Sequence, residues 1–414
     1  MEQTLIKRRV MLIIAVIVML FAGIMYAWTI TQTPFMIIEN GVFINATQLG
    51  VNYTITIIFF CLGCFATGLI VNQTSTAIRF ALGAMMLFAS YFSASFQIIT
   101  LQYSGNYFLL YMASGLLGGL GIGIVYATVL SIINLWFPDK PGFASGLIMT
   151  GFGLSLLLTG SAVEALGGSE TVGWERTYII IAFTMAVVFA AAAFLLKLPP
   201  AGTVLPEPKP RPDDENQQKS DINKLSALEM VKRPSFIFIF IYLAILAASG
   251  SAAIAFATDI MQDMGATAGL VVLAGGILCV SNSTGRIALG FLFDKIGIKQ
   301  TQLISSAIAI LAPVTIIMAL ASGSVIIGVI GLFLCGLSYG FVPVSCSVFA
   351  SEFFGTKEFS LKFGILSMVL LPAPFIVMLA GFLKNPLNGY MYIFIGLAAL
   401  TVIGVFINLI IRKP

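Results

Sequence analysis

Histidine is absent, and charged residues make up only 9% of the 414 positions. Without imidazole the chain lacks the commonest general base near neutral pH and the commonest nitrogen ligand for zinc. No paired carboxylates, and no cysteine beside a base, lie inside the apolar runs, so an enzyme has no evident proton acceptor here. The scarcity of charge excludes more, because a soluble domain carries roughly 25% charged residues to face water. The net charge is +4, and the basic residues do not gather on one soluble face, which argues against nucleic acid as a partner. All five cysteines (Cys61, Cys64, Cys279, Cys335 and Cys346) sit in apolar runs, a pattern unlike a disulfide framework. Cys61 and Cys64 are spaced like a metal pair, yet nothing nearby completes a site. Neither a metal nor a cofactor is expected.

What is present is hydrophobic, 59% of the residues. Lipid must be the solvent for such a surface, and lipid admits only helices and closed barrels. The runs are long and lack period-two alternation, so the expected fold class is an all-α membrane protein. Twelve runs, at 10–34, 47–72, 77–100, 106–135, 142–164, 175–198, 235–258, 267–292, 301–321, 325–350, 360–383 and 388–411, reach the roughly 20 residues needed to cross the hydrocarbon. The first follows Lys7-Arg8-Arg9 and is longer than a signal-peptide core, so it reads as a retained first span. Between runs six and seven lies a stretch with seven prolines, including Pro-Glu-Pro-Lys-Pro-Arg-Pro from 206 to 212, too polar to fold alone.

The expected organisation is an N-terminal six-helix bundle over 1–198, a flexible cytoplasmic linker over 199–234 and a C-terminal six-helix bundle over 235–414. Placing both termini and the linker in the cytoplasm puts 18 of the 21 lysines and arginines on cytoplasmic segments, as the positive-inside rule requires. Arg176 and Lys384 are left on the far side, and Arg286 lies inside a span. The two halves echo each other. Gly119-Leu-Gly-Ile-Gly-Ile recurs as Gly336-Leu-Ser-Tyr-Gly-Phe, an offset of 217, and Gly68-Leu-Ile-Val-Asn72 as Gly290-Phe-Leu-Phe-Asp294, an offset of 222. A duplicated six-span unit is a known plan for membrane transporters, with the substrate site near the midplane.

Arg286 is the most informative residue. A central arginine costs about 2.5–3.5 kcal/mol on insertion scales, and no Asp or Glu lies at comparable depth in the sequence. Glu164 and Asp259 end their spans, and Asp294 lies about two helical turns further on. The counter-charge is therefore expected to be the cargo, since guanidinium presents a planar fork that matches a carboxylate bidentately. A structural arginine, satisfied by helix carbonyls or snorkelling to the interface, is the bland alternative. Asn282, one turn earlier on the same face, is placed to orient the guanidinium or to bond the substrate. Tyr126 and Tyr339 occupy neighbouring repeat positions in the two halves and offer hydroxyl donors on rigid walls, with Tyr26 and Trp28 as candidates to complete a cage. The glycines between Gly115 and Gly123 follow no strand and precede no P-loop lysine, so they read as close helix packing rather than a phosphate loop.

The run Asn134-Leu-Trp-Phe-Pro-Asp-Lys-Pro-Gly-Phe-Ala-Ser-Gly146 resembles the signature between spans 4 and 5 of the oxalate:formate antiporter-like and monocarboxylate transporters of the major facilitator superfamily. Gly285-Arg286 and Gly290-Phe-Leu-Phe-Asp294-Lys295-Ile-Gly297 resemble that family's span 8 and its following loop motif. Tyr26-Ala-Trp28-Thr29 and Glu229-Met-Val-Lys-Arg-Pro234 are similar too. The resemblance covers nearly the whole chain. It implies twelve spans, alternating access, a loop motif including Asp139, Lys140, Gly290, Asp294 and Lys295, and an anion site of Arg286 with Tyr26, Tyr126 and Tyr339.

Departures from the family pattern narrow the cargo. The oxalate carrier's second basic residue, a span 11 lysine, falls at Leu370, and its span 10 tryptophan at Cys335. One cation neutralises a monoanion and leaves a dianion uncompensated, so lactate, pyruvate, acetate or formate is expected ahead of oxalate. The aspartate that animal monocarboxylate carriers place four residues before the arginine is Asn282 here, which leaves proton symport to the substrate itself or to Asp259, or else exchange against a counter-anion. The first-half loop motif has Asn72 at the usual aspartate position and only Arg79 as a later basic residue. The resulting expectation is a multi-pass carrier in a prokaryotic inner membrane. Oxalate or another dicarboxylate is the alternative cargo, and an anion channel or a transporter-like sensor is the alternative class.

Overall fold

A computed structural model describes residues 2–36, 46–104, 107–207, 225–382 and 390–411. The middle of the expected linker and Lys384 lie outside the described residues. Every regular element that is described is helical, and twelve helices are long and apolar enough to cross a membrane. We number these spans 1 to 12: Thr4–Met36, Gln48–Ile70, Thr76–Ile98, Phe108–Trp136, Pro141–Gly167, Gly173–Leu195, Pro234–Asp263, Gly269–Ile296, Ile298–Ser322, Val325–Phe353, Phe359–Val377 and Met391–Ile410. They coincide with the twelve apolar runs. Only lipid lets such runs remain apolar all round, and only a helix satisfies each backbone group inside its own segment.

Two interruptions of the helices have a local cause. Span 1 tightens into a 3-10 turn over Gly23–Ala27, where Gly23 meets span 5 so closely that a Cβ would lie 2.1 Å from the Phe152 carbonyl oxygen. Span 11 tightens over Met368–Leu370 just before Pro372, whose ring denies the preceding residue the α conformation. Ahead of span 7 a short helix, Ala227–Val231, is set by a capping box in which Ser226 and Glu229 satisfy each other's backbone amides.

Backbone packing groups the chain into two compact units. One holds Met1–Pro138, Gly151–Pro206 and Phe363–Met368; the other holds Asp139–Thr150, Glu207–Lys362 and Val369–Pro414. Inside the first unit, spans 2 and 4 meet through glycines: a Cβ on Gly123 would lie 2.2 Å from the Phe60 oxygen, and one on Gly63 would lie 2.6 Å from the Leu120 oxygen. Inside the second, spans 8 and 10 do the same, with Gly340 at 2.3 Å from the Asn282 oxygen and Gly285 at 2.7 Å from the Leu337 oxygen. Gly63 and Gly285 are 222 positions apart and Gly123 and Gly340 are 217 apart, the same offsets as the sequence echoes. Glycine is required at these crossings because any side chain would hold the backbones apart.

Candidate functional site

The second unit carries Arg286. Arg286 lies in the continuous helix Ala268–Ile296 and is only 1% exposed, so it does not snorkel. Its Nε donates to Asn282 Oδ1 at 3.2 Å, the contact expected of residues one turn apart. Its Nη1 donates to the backbone carbonyl of Met149 in span 5. These two acceptors are uncharged and orient the guanidinium plane.

Small residues bring span 5 this close. A Cβ on Gly146 would lie 2.4 Å from the Arg286 oxygen, and one on Gly290 would lie 2.2 Å from the Gly142 oxygen. Thr150 adds a hydroxyl bond to the Ser283 carbonyl at 3.1 Å. The seam ends at Asp294, whose Oδ1 accepts from the Gly142 amide at 3.0 Å and whose Oδ2 accepts from the Phe143 amide at 2.7 Å. These amides belong to the first turn of the helix Pro141–Ser155, where unpaired N–H groups and the helix dipole favour a carboxylate. Of the predicted loop motif, Gly290 and Asp294 are thus joined to the start of span 5. Asp139 and Lys140 immediately precede that start, with the Lys140 carbonyl accepting from Ala144 N at 3.1 Å. Lys295 instead covers the Phe291 ring at 5.7 Å, and Gly297, at φ +85°, ends the helix.

Tyr339 is buried on span 10, its Cβ seated over Gly250 of span 7 so that a Cβ there would lie 2.5 Å away. Asp259 is held elsewhere. It accepts a hydrogen bond from the Tyr390 hydroxyl, and the Tyr390 ring stacks on Phe256 at 4.7 Å. Burial, followed by that bond and the charges of Asp259 and Asp263, pushes the Tyr390 hydroxyl above its usual value of 10. Asp259 lies four residues from the end of the helix Pro234–Asp263 and Arg286 eighteen from the start of the next. At 1.5 Å per residue they are about 20 Å apart along the helix axes.

In the first unit, Tyr126 is buried in an aromatic cluster, with ring centroids 5.2 Å from Phe60, 4.9 Å from Phe152 and 6.0 Å from Phe363. Tyr26 meets Phe152 edge-on at 5.3 Å and so shares a neighbour with Tyr126. Trp28 does not. It stacks on Phe35 at 6.4 Å and packs with Leu49, Ala94, Leu110 and Tyr178, because residues two apart on a helix project to different sides.

Three participants had no clear sequence signal. The Met149 carbonyl is main chain and carries no residue signature, although Gly146 and Thr150 at four-residue spacing mark the seam around it. Phe152 is one phenylalanine among 34. Lys362 sits at the polar start of span 11 and reads there as an ordinary flanking lysine. It is fully buried instead, and its Nζ donates to the carbonyls of Phe354 at 2.7 Å and Gly355 at 2.8 Å, closing the end of span 10 as a cation suits a helix C-terminus.

Comparison with known proteins matches this architecture. The chain is 24% identical to the oxalate:formate antiporter of Oxalobacter formigenes over 85% of its own length and 79% of that protein's. A shorter stretch, 29% of this chain and 24% of the relative, is 30% identical to human monocarboxylate transporter 11. In three dimensions it superposes on the crystal structure of the transporter FucP in its outward conformation with a TM-score of 0.70, covering 99% of this chain and 100% of that one at 13% identity. The profile of the Major Facilitator Superfamily matches residues 10–371. Twelve apolar helices, glycine-packed at matching repeat positions, and a profile match over most of the sequence lead to one conclusion: this multi-pass membrane protein belongs to the Major Facilitator Superfamily of transporters.

Proposed function

We propose that this transporter moves small monocarboxylate anions, of the lactate, pyruvate, acetate or formate type, by alternating access. The observation that carries the reading is Arg286: a guanidinium buried to 1% exposure in a membrane span, oriented through Nε and Nη1 by two uncharged acceptors. A carboxylate arriving at its fork supplies charge that an amide and a peptide carbonyl do not. It also competes with the Met149 carbonyl for Nη1, which ties cargo binding to the span 5 seam. Tyr26, Tyr126 and Tyr339 are assigned as hydroxyl donors, and Asn282 as the group that aims the arginine. The likeness to an oxalate:formate antiporter supports organic anions as the class. The dicarboxylate reading keeps that relative in its favour, but Leu370 stands where its second cation is expected, and Lys362 spends its ammonium on two carbonyls.

Both termini are assigned to the cytoplasm on the distribution of lysine and arginine, and the short loops between spans favour a prokaryotic inner membrane. The carrier works either as anion exchange or as proton symport. In the first case one anion replaces another at Arg286; in the second, Asp259 is the alternative proton carrier. The test is uptake into proteoliposomes. Arg286→Lys, a point charge without the fork, is expected to lower uptake of its monocarboxylate at least ~10-fold, the equivalent of about 1.4 kcal/mol. Wild-type uptake by that variant refutes the role and leaves a structural arginine. Vesicles loaded with and without internal anion, at imposed pH gradients, separate exchange from symport.

A further inference from the structure

A second arginine, Arg79, has no part in the carboxylate reading. It lies in the first turn of the helix Thr76–Ser104 and is only 3% exposed. Its Nη1 is buried with no hydrogen-bond partner among the described residues. Its Nε makes one long contact, 3.5 Å, to the Ser75 carbonyl, which turns the guanidinium back toward the helix start. There Ser75 already caps the turn, its hydroxyl accepting from Ile78 N at 3.3 Å and its carbonyl from Arg79 N at 3.2 Å. A cation at a helix N-terminus opposes the dipole, where an anion is wanted, and a buried guanidinium nitrogen without an acceptor adds a desolvation cost. Asn72, three residues before Ser75, is neutral and exposed.

We infer that Arg79 and the capped start of span 3 form a binding site for a phosphate-type oxyanion. Terminal amides and guanidinium donors converging at one helix end are suited to such a group. Asn72, Ser75, Ala77 and Ile78 are exposed around the turn and leave it approachable. Arg79 lies four positions into its span (Thr76–Ile98), at the depth where headgroups meet hydrocarbon. Alternation of the spans puts Lys7, Arg8 and Arg9, at the start of span 1, on the same end of this unit. There Arg8 lies 4.1 Å over the ring of Phe137, just beyond span 4. The phosphate therefore comes from an anionic phospholipid or from free phosphate, and the chemistry is shared.

The test is thermal unfolding of the full chain purified in neutral maltoside detergent, alone, with phosphatidylglycerol, with phosphatidylcholine, or with inorganic phosphate. Wild type is expected to gain stability with phosphatidylglycerol and not with phosphatidylcholine. A matching gain with inorganic phosphate identifies the free anion as sufficient; a gain with phosphatidylglycerol alone identifies the lipid. Arg79→Met, which removes an unanswered charge, is expected to be at least as stable as wild type in detergent alone and to lose at least half of the anion-dependent gain. Arg79→Lys is expected to keep part of that gain. An Arg79→Met variant that keeps the full gain, or a wild type that gains nothing from either anion, overturns the site.

Discussion

Gly146→Ala probes the seam that holds Arg286. A Cβ there would lie 2.4 Å from the Arg286 oxygen, about 1 Å short of the 3.4 Å at which ordinary contact begins. That obstacle is main chain inside a continuous helix and has no rotamer through which to move, so span 5 must shift. A shift of about 1 Å carries the Thr150 hydroxyl, now 3.1 Å from the Ser283 carbonyl, beyond hydrogen-bond reach. Overpacking costs about 1–3 kcal/mol and the lost bond about 1 kcal/mol, while alanine returns up to about 1 kcal/mol of helix propensity. The net expectation is a loss of about 1–3 kcal/mol, seen as a lower unfolding midpoint and as faster hydrogen exchange over residues 141–150. Gly275→Ala, in the same helix as Arg286 but with nothing within 4 Å of the new Cβ, is the control and is expected to be neutral or slightly stabilising. If Gly146→Ala unfolds with wild type and exchanges at the same rate, the seam is not packed as described.

Asp294→Asn keeps one acceptor but removes the carboxylate from the start of span 5; a loss of about 1–2 kcal/mol is expected, read as faster exchange of the Gly142 and Phe143 amides. At Glu229, the backbone amide and then the hydroxyl of Ser226 hold the carboxyl below its usual value of 4.5. A depressed carboxylate contributes its stability above the ordinary value and loses it as pH falls through the depressed one. Protection of the helix Ala227–Val231 is therefore expected to hold near pH 7 and to fade below pH 4.5; a Glu229→Gln variant with the same pH profile would refute the assignment.

Much of the fold was readable along the chain because membrane spans are a one-dimensional property. Length and apolarity decide whether a segment crosses lipid, and the glycine echo at offset 217 contained Gly123 and Gly340, which lie at the crossings inside each unit. The site was only partly readable. Arg286 and Asn282 announced themselves, being polar in apolar surroundings and one turn apart. Trp28 and Tyr26 are near neighbours in sequence yet face different clusters, which depends on helix phase and on what packs there. Nothing in the sequence singled out Lys362, since burial at a span end is invisible until the end of span 10 folds over it.

Sequence alone determined the solvent of this protein, the number of its spans and the presence of a buried guanidinium, because each follows from the cost of putting polar groups in lipid, residue by residue. Only the tertiary structure decided what that guanidinium touches, that Asp294 closes the start of span 5, and that Arg79 has a nitrogen with no partner among the described residues. Those are contacts between segments far apart in the chain, set by helix rotation and main-chain atoms that no side-chain pattern records.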